Sequence, residues 1–156
     1  MSPIDPTRRR LLLAAVAAAA LPKIAVGEER TDGAAGEQTA MKIRLFLAGE
    51  TMTATLEDNP SAREFLAMLP LDLEASDFGS NEKIAYLPRK LRALTRGPVP
   101  DARAGDLCYF VPWGNLALFH GSYESTRDLV RLGRFDGDLA PLLIKGEFTL
   151  RIERID

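Results

Sequence analysis

The stretch LCYFVPWGNLALFH, residues 107–120, decides the fold class. Its two apolar runs, Leu107 to Val111 and Leu116 to His120, are too short for helices. They are rich in aromatic and aliphatic residues and are separated by Pro112-Trp113-Gly114-Asn115, a turn signal. That combination reads as a β-hairpin. Strand periodicity continues on both sides of it. Ile43, Leu45 and Leu47 alternate with Lys42, Arg44 and Phe46, and after a turn at Gly49-Glu50 the residues Met52, Ala54 and Leu56 share one face, giving an opening hairpin. Short strands are expected at Leu71 to Ala75, Glu82 to Leu87 and Leu129 to Phe135. A closing strand follows in which Phe148, Leu150 and Ile152 alternate with Thr149, Arg151 and Glu153.

One segment breaks the period of two. Asp58-Asn59-Pro60-Ser61 is a helix start, with Asn59 as cap and Pro60 at the first helical position, where its missing N–H costs nothing. Ala62, Phe65, Leu66 and Leu69 then form one apolar stripe, and Pro70 ends the helix. A short helical turn is expected at Leu139 to Leu143. Eight short strands with one principal helix predict a mainly β fold, a small closed barrel that leaves no sheet edge unpaired.

Ahead of the domain, Thr7-Arg8-Arg9-Arg10-Leu11-Leu12 opens into an alanine-rich apolar run to Leu21, followed by Ala25-Val26-Gly27, a small-x-small cleavage site. The apolar run is too short to span a bilayer. The paired arginines and Lys23 resemble a twin-arginine signal, so residues 1–27 are read as an export signal peptide to the periplasm or outside, with only transient membrane contact. An uncleaved amphipathic or tethering tail, or a start at Met41, are the other readings. Residues 28–40 hold almost no large apolar side chain and are read as a disordered linker. Residues 41–156 have the size of one domain.

Charge and composition exclude further classes. Twenty Lys and Arg against 22 Asp and Glu give a net charge of −2, which offers no footprint for nucleic acid. Arg89, Lys90, Arg92 and Arg96 read as a solvated loop. With Cys108 the sole cysteine, no intramolecular disulfide forms, and its apolar surroundings make it a small buried hydrophobe rather than a nucleophile. One histidine and one cysteine cannot build the usual nitrogen and sulfur zinc sites, and Asp136-Gly137-Asp138 is a turn too short for a calcium loop. Neither metal nor cofactor is expected. No phosphate loop, nucleophile elbow or zincin helix occurs.

Several blocks together carry a family resemblance: Asp58-Asn59-Pro60-Ser61-Ala62, Leu69-Pro70-Leu71, Glu82-Lys83-Ile84, Leu87-Pro88-Arg89-Lys90-Leu91, Gly105-Asp106-Leu107, PWGNLALF at 112–119 and Leu132-Gly133-Arg134. Through them residues 41–156 resemble the bacterial cyclophilin-like domain family. The resemblance implies an eight-stranded cyclophilin-like barrel, in a family that largely lacks an assigned reaction and whose members sometimes sit beside flavodoxin-like domains. It does not carry prolyl isomerase activity with it. The Phe-His-Arg and Gln-Gly-Gly-Asp motifs of true cyclophilins are missing, Phe119-His120 being followed by Gly121. Arg127 or Arg134 would substitute only by a different geometry.

The candidate ligand-binding residues centre on the same hairpin: Trp113, Asn115, Phe119, His120 and Tyr123, with Glu82 and Arg127. Taken alone, the residues favour Trp113 as a plug of one barrel mouth, with Asn115 bonded to the turn, over an accessible aromatic platform. Alternation puts Glu82 and Lys83 on opposite faces of a strand. One of them therefore points into the barrel, where a salt bridge to a partner such as Arg134 or Arg89 ranks ahead of a catalytic acid. The expectation is a domain that binds a peptide segment or small organic ligand in an apolar groove near Trp113, Phe119 and Tyr123. The alternatives are a weak prolyl isomerase or other enzyme using Glu82, Arg127 or His120, and an accessory to a flavodoxin-like redox protein.

Overall fold

The computed structural model describes residues 39–95 and 97–156; the segment expected to direct export, most of the expected linker and Arg96 lie outside the described residues. The strands are β1 (Lys42–Leu47), β2 (Glu50–Leu56), β3 (Leu71–Phe78), β4 (Glu82–Tyr86), β5 (Asp106–Phe110), β6 (Asn115–Phe119), β7 (Leu129–Phe135) and β8 (Phe148–Ile155). They close in the order β1-β2-β7-β5-β6-β4-β3-β8, with every neighbouring pair antiparallel. The protein is mainly β, a closed eight-stranded barrel with one principal helix.

Alternation explains which side chains fill it. Ile43, Leu45 and Leu47 from β1 meet Met52, Ala54 and Leu56 from β2, and Leu107, Tyr109, Leu116, Leu118, Leu132, Leu150 and Ile152 complete one buried core. The β1–β2 turn lies one residue earlier than expected, at Ala48-Gly49, both with positive φ. Pairing Leu45 with Met52 keeps both inside, and that register fixes the two-residue turn even though alanine occupies its first position. Gly133 marks the tightest strand contact. A Cβ there would sit 2.3 Å from the Thr55 carbonyl oxygen, so β2 and β7 approach only over a glycine.

The principal helix, α1 (Pro60–Met68), starts as its sequence dictates: the Asn59 side chain accepts from the Ala62 N–H at 2.8 Å. Phe65 is fully buried. The helix also organises the loop after β4. Ser61 donates its hydroxyl to the Ala93 carbonyl at 2.6 Å, and Glu64 accepts from the backbone N–H groups of Arg92 and Ala93. Arg89 is tied to Glu64, and Lys90 donates to the Pro112 carbonyl, so these basic residues are bonded rather than merely solvated. The short α2 (Ala140–Leu143) is preceded by Asp138, whose carboxylate accepts from the Ala140 N–H at 2.9 Å.

β5 and β6 are covered on both faces, which is why their sequences are apolar almost throughout. Their inward residues join the barrel core, while Cys108, Ala117 and Phe119 point outward and pack with Val99 and Leu129 into a second, smaller cluster. On β4 the same alternation sends Lys83 and Ala85 inward and leaves Glu82, Ile84 and Tyr86 outward. Lys83, fully buried, reaches Asp77 at 2.7 Å and lies over the Phe148 ring. The expected partners were Arg134 or Arg89. Instead the inward group is the cation, and its partner is the carboxylate directly opposite on β3.

Candidate functional site

The outward faces of β4 and β6 form the floor of a cleft of about 260 Å³. Ile84 and Ala117, cross-strand partners, lie mid-floor. The β5–β6 turn raises Trp113 on one side, and the loop after β6 lowers Tyr123 on the other. Gly114 permits that turn: its φ is +74°, and a Cβ there would come within 2.8 Å of the Lys90 side chain.

Trp113 is 48% exposed and does not plug a barrel mouth. Its ring makes edge contacts with Phe110 at 5.3 Å and Phe78 at 5.5 Å between centroids, so it stands at the cleft on the outside of the barrel. The plug reading fails because the barrel already has its core from inward strand residues. The turn, four residues between paired Phe110 and Asn115, projects beyond them.

Tyr123 is held from two directions. Its ring stacks on Phe119 at 3.7 Å with planes 7° apart, and its hydroxyl donates to Asp106 Oδ2 at 2.7 Å. Asp106 is fully buried and accepts also from Arg134 Nε at 2.7 Å and the Arg103 N–H at 3.1 Å. A buried carboxylate with that many charge-assisted bonds is a fixed anchor. Burial, with the bonds to Cys108 and Asp106, raises the Tyr123 phenol above its ordinary range, so it stays protonated. Cys108, touching the same hydroxyl at 3.4 Å, is fully buried, and burial pushes its thiol up to about 12, which leaves it without nucleophilic character at neutral pH.

Asn81 clips the loop that follows β6. Its carbonyl accepts from the N–H groups of His120 and Gly121, and its side chain donates to the Ser122 carbonyl at 3.0 Å. His120 itself does not line the cleft. Burial, then the charges of Lys145 and Lys83, lower its imidazole below the usual value. Arg127 is exposed and also outside the lining. Of the residues expected from sequence, the structure brings together Trp113, Asn115, Phe119, Tyr123 and Glu82, and leaves His120 and Arg127 apart.

Two polar lining side chains have groups without a protein partner among the described residues. The Glu82 side chain makes no hydrogen bond or ion pair among the described residues, and burial pushes its carboxyl up to about 7. Asn115 is 2% exposed; its Nδ2 donates to the Leu116 carbonyl at 3.0 Å, which fixes the amide orientation. Its Oδ1 is the one buried side-chain nitrogen or oxygen without a partner among the described residues. Such an acceptor costs about 1–3 kcal/mol. A larger depression of about 520 Å³, between β2 and α2, is lined by no buried unpartnered side-chain atom among the described residues.

Sequence reasoning missed Phe78, Ile84, Phe110 and Glu124, which also line the cleft, and Asp106, which anchors it. Ile84 was accessible by counting two from Glu82 along a strand. Phe78 and Glu124 carry no local signal, because pairing and loop closure bring them in.

A family model described as the cyclophilin-like family matches residues 45–153. Among solved structures, the solution structure of a hypothetical protein from Archaeoglobus fulgidus is similar, with a TM-score of 0.61 at 18% identity over 77% of this chain and 99% of that one, a likeness of fold. No curated protein matches the chain.

Proposed function

Since the chain belongs to the cyclophilin-like family, a fold that leaves its reaction open, we propose that it is a binding domain receiving a peptide segment or small organic ligand in the outer-face cleft. The orphan acceptor of Asn115 carries this reading: a native fold retains a buried unsatisfied oxygen at a cost, and a ligand donor that it meets by a turn of the amide toward the cleft offsets it. The aromatic walls, Trp113 and the stacked Phe119–Tyr123 pair, supply apolar contact. At about 260 Å³ the cleft suits one or two side chains of a peptide, or a one-ring molecule, rather than a large cofactor.

Binding is favoured over prolyl isomerisation by the charges present. Isomerisation needs a positioned cation at the amide, whereas the charged side chains lining the cleft are Glu82 and Glu124. Arg134 is engaged by Asp106. Residues 1–27 are proposed to direct export by a twin-arginine route, so that the domain works outside the cytoplasm.

Trp113 is the sole tryptophan and makes the test direct. Acrylamide is expected to quench its emission, and short peptides or small aromatic amines and alcohols to shift it. Trp113→Phe is expected to weaken binding by about 1–3 kcal/mol with a smaller effect on stability. An indole shielded from acrylamide, with no probe perturbing it, would end the reading.

A further inference from the structure

The cleft floor has a polarity along its length. Going down the β4–β6 ladder, Glu82 faces Phe119, Ile84 faces Ala117, and Tyr86 faces Asn115. One end therefore offers a carboxylate, the middle is apolar, and the other end holds the unpaired Asn115 oxygen, which is shielded from solvent. Glu82 and the partner of Asn115 are four residues apart on β4, about 13 Å at the rise of a strand. Trp113 links the two ends, touching Phe110, opposite Asn115 on β5, and Phe78, opposite Glu82 on β3.

The charged functions of this arrangement accept, and the Trp113 indole N–H and the Thr126 hydroxyl are neutral donors beside them. The Tyr123 hydroxyl spends its proton on Asp106, and the Asn81 and Asn115 amide nitrogens are spent on backbone carbonyls. Among the described residues, Glu82 and Glu124 are the charged ones lining the cleft, and no Lys, Arg or His lines it. Glu124 follows the tyrosine stacked on Phe119, at the Glu82 end. Lys83, next to Glu82, faces the barrel interior and is paired with Asp77.

Resting on the reading of this cleft as a binding site, we propose that its ligand is a peptide segment bearing a basic side chain, lysine or arginine. The cationic head sits at Glu82, the aliphatic stem lies over Ile84 and Ala117 beside the Trp113 ring, and a main-chain N–H donates to Asn115 Oδ1 once that amide turns toward the cleft. A long methylene stem with a terminal charge fits an apolar mid-floor ending in a carboxylate, and the aromatic wall adds cation–π attraction. An acidic or neutral side chain leaves Glu82 desolvated and unpaired.

The test uses the full chain and three tripeptides lacking tryptophan: acetyl-Ala-Lys-Ala-amide, its norleucine analogue with a neutral stem, and its glutamate analogue. Titration at pH 8 in low salt is followed by Trp113 emission and by calorimetry. The lysine peptide is expected to bind at least about tenfold tighter than the norleucine peptide, with the glutamate peptide weakest. Glu82→Gln should erase the lysine preference while leaving norleucine binding in place, and its folding is checked by a cooperative melt. The preference in the unmodified chain should also fade between pH 8 and pH 5 as Glu82 takes up a proton, a measurement that needs no variant. Equal binding of lysine and norleucine peptides, or a preference that survives Glu82→Gln, would overturn the basic-peptide assignment and leave the cleft as an apolar site. If no peptide and no aromatic probe perturbs Trp113, both readings fall.

Discussion

The Tyr123 hydroxyl is bonded at 2.7 Å to the carboxylate of Asp106, a residue of β5 that is fully buried and shared with Arg134. The wall of the cleft is thereby fastened to the barrel by a charge-assisted bond rather than by packing alone.

Tyr123→Phe keeps the stack on Phe119 and removes only that bond. A loss of about 1–3 kcal/mol in urea unfolding is expected, together with faster hydrogen exchange in residues 120–128. Asp106→Asn is expected to cost more, about 3–5 kcal/mol, because Arg134 then loses its counter-charge. Equal stability of Tyr123→Phe and the unmodified chain would show that the anchor contributes nothing.

Glu82 gives the protein a pH dependence of uncommon sign for a carboxylate. Its folded-state value is about 7 against an ordinary 4.5, so between those values the folded chain holds a proton that the unfolded chain has released. Its contribution to stability is therefore full below about pH 4.5 and declines as pH rises to about 7. Glu82→Gln is expected to gain about 1 kcal/mol on the unmodified chain between pH 5 and pH 8, less than the whole shift because the group is only half-buried. Denaturation midpoints of the pair at both pH values measure it, and parallel curves would refute it.

Phe65 tests the helix. Phe65→Ala removes a fully buried ring and is expected to cost about 3–5 kcal/mol. Arg63→Ala, which breaks only an exposed pair with Asp58, should change stability by no more than about 0.5 kcal/mol. Coincident urea midpoints for the two variants would mean that α1 is not packed on the barrel.

Export is tested by Arg8→Lys combined with Arg9→Lys. The double variant is expected to leave precursor in the cytoplasm, with the domain folded by circular dichroism. Undiminished export would remove the twin-arginine reading.

The barrel was legible because strand periodicity is local: Ile43, Leu45 and Leu47 alternate whatever the rest of the chain does. The cleft was less so. In the apolar runs that became β5 and β6 every residue looks like core, and nothing local says that Ala117 and Phe119 face outward while Leu116 and Leu118 fill the barrel. Alternation separated Glu82 from Lys83 without saying which goes in. Recognising Gly79-Ser80-Asn81 as the β3–β4 turn would have answered it, since that pairing sets Asp77 opposite Lys83. The anchor of Tyr123 was out of reach, because Asp106, although part of the Gly105-Asp106-Leu107 block, is brought to Tyr123 only by folding.

The two-faced β5–β6 hairpin also divides the labour of mutation. Leu107, Tyr109, Leu116 and Leu118 fill the barrel, while Phe110, Ala117 and Phe119, at the intervening positions, line the cleft. Under the proposed binding role, selectivity is therefore best re-engineered at Phe110, because Ala117 and Phe119 also belong to the smaller buried cluster with Val99, Cys108 and Leu129 and changing them would cost stability.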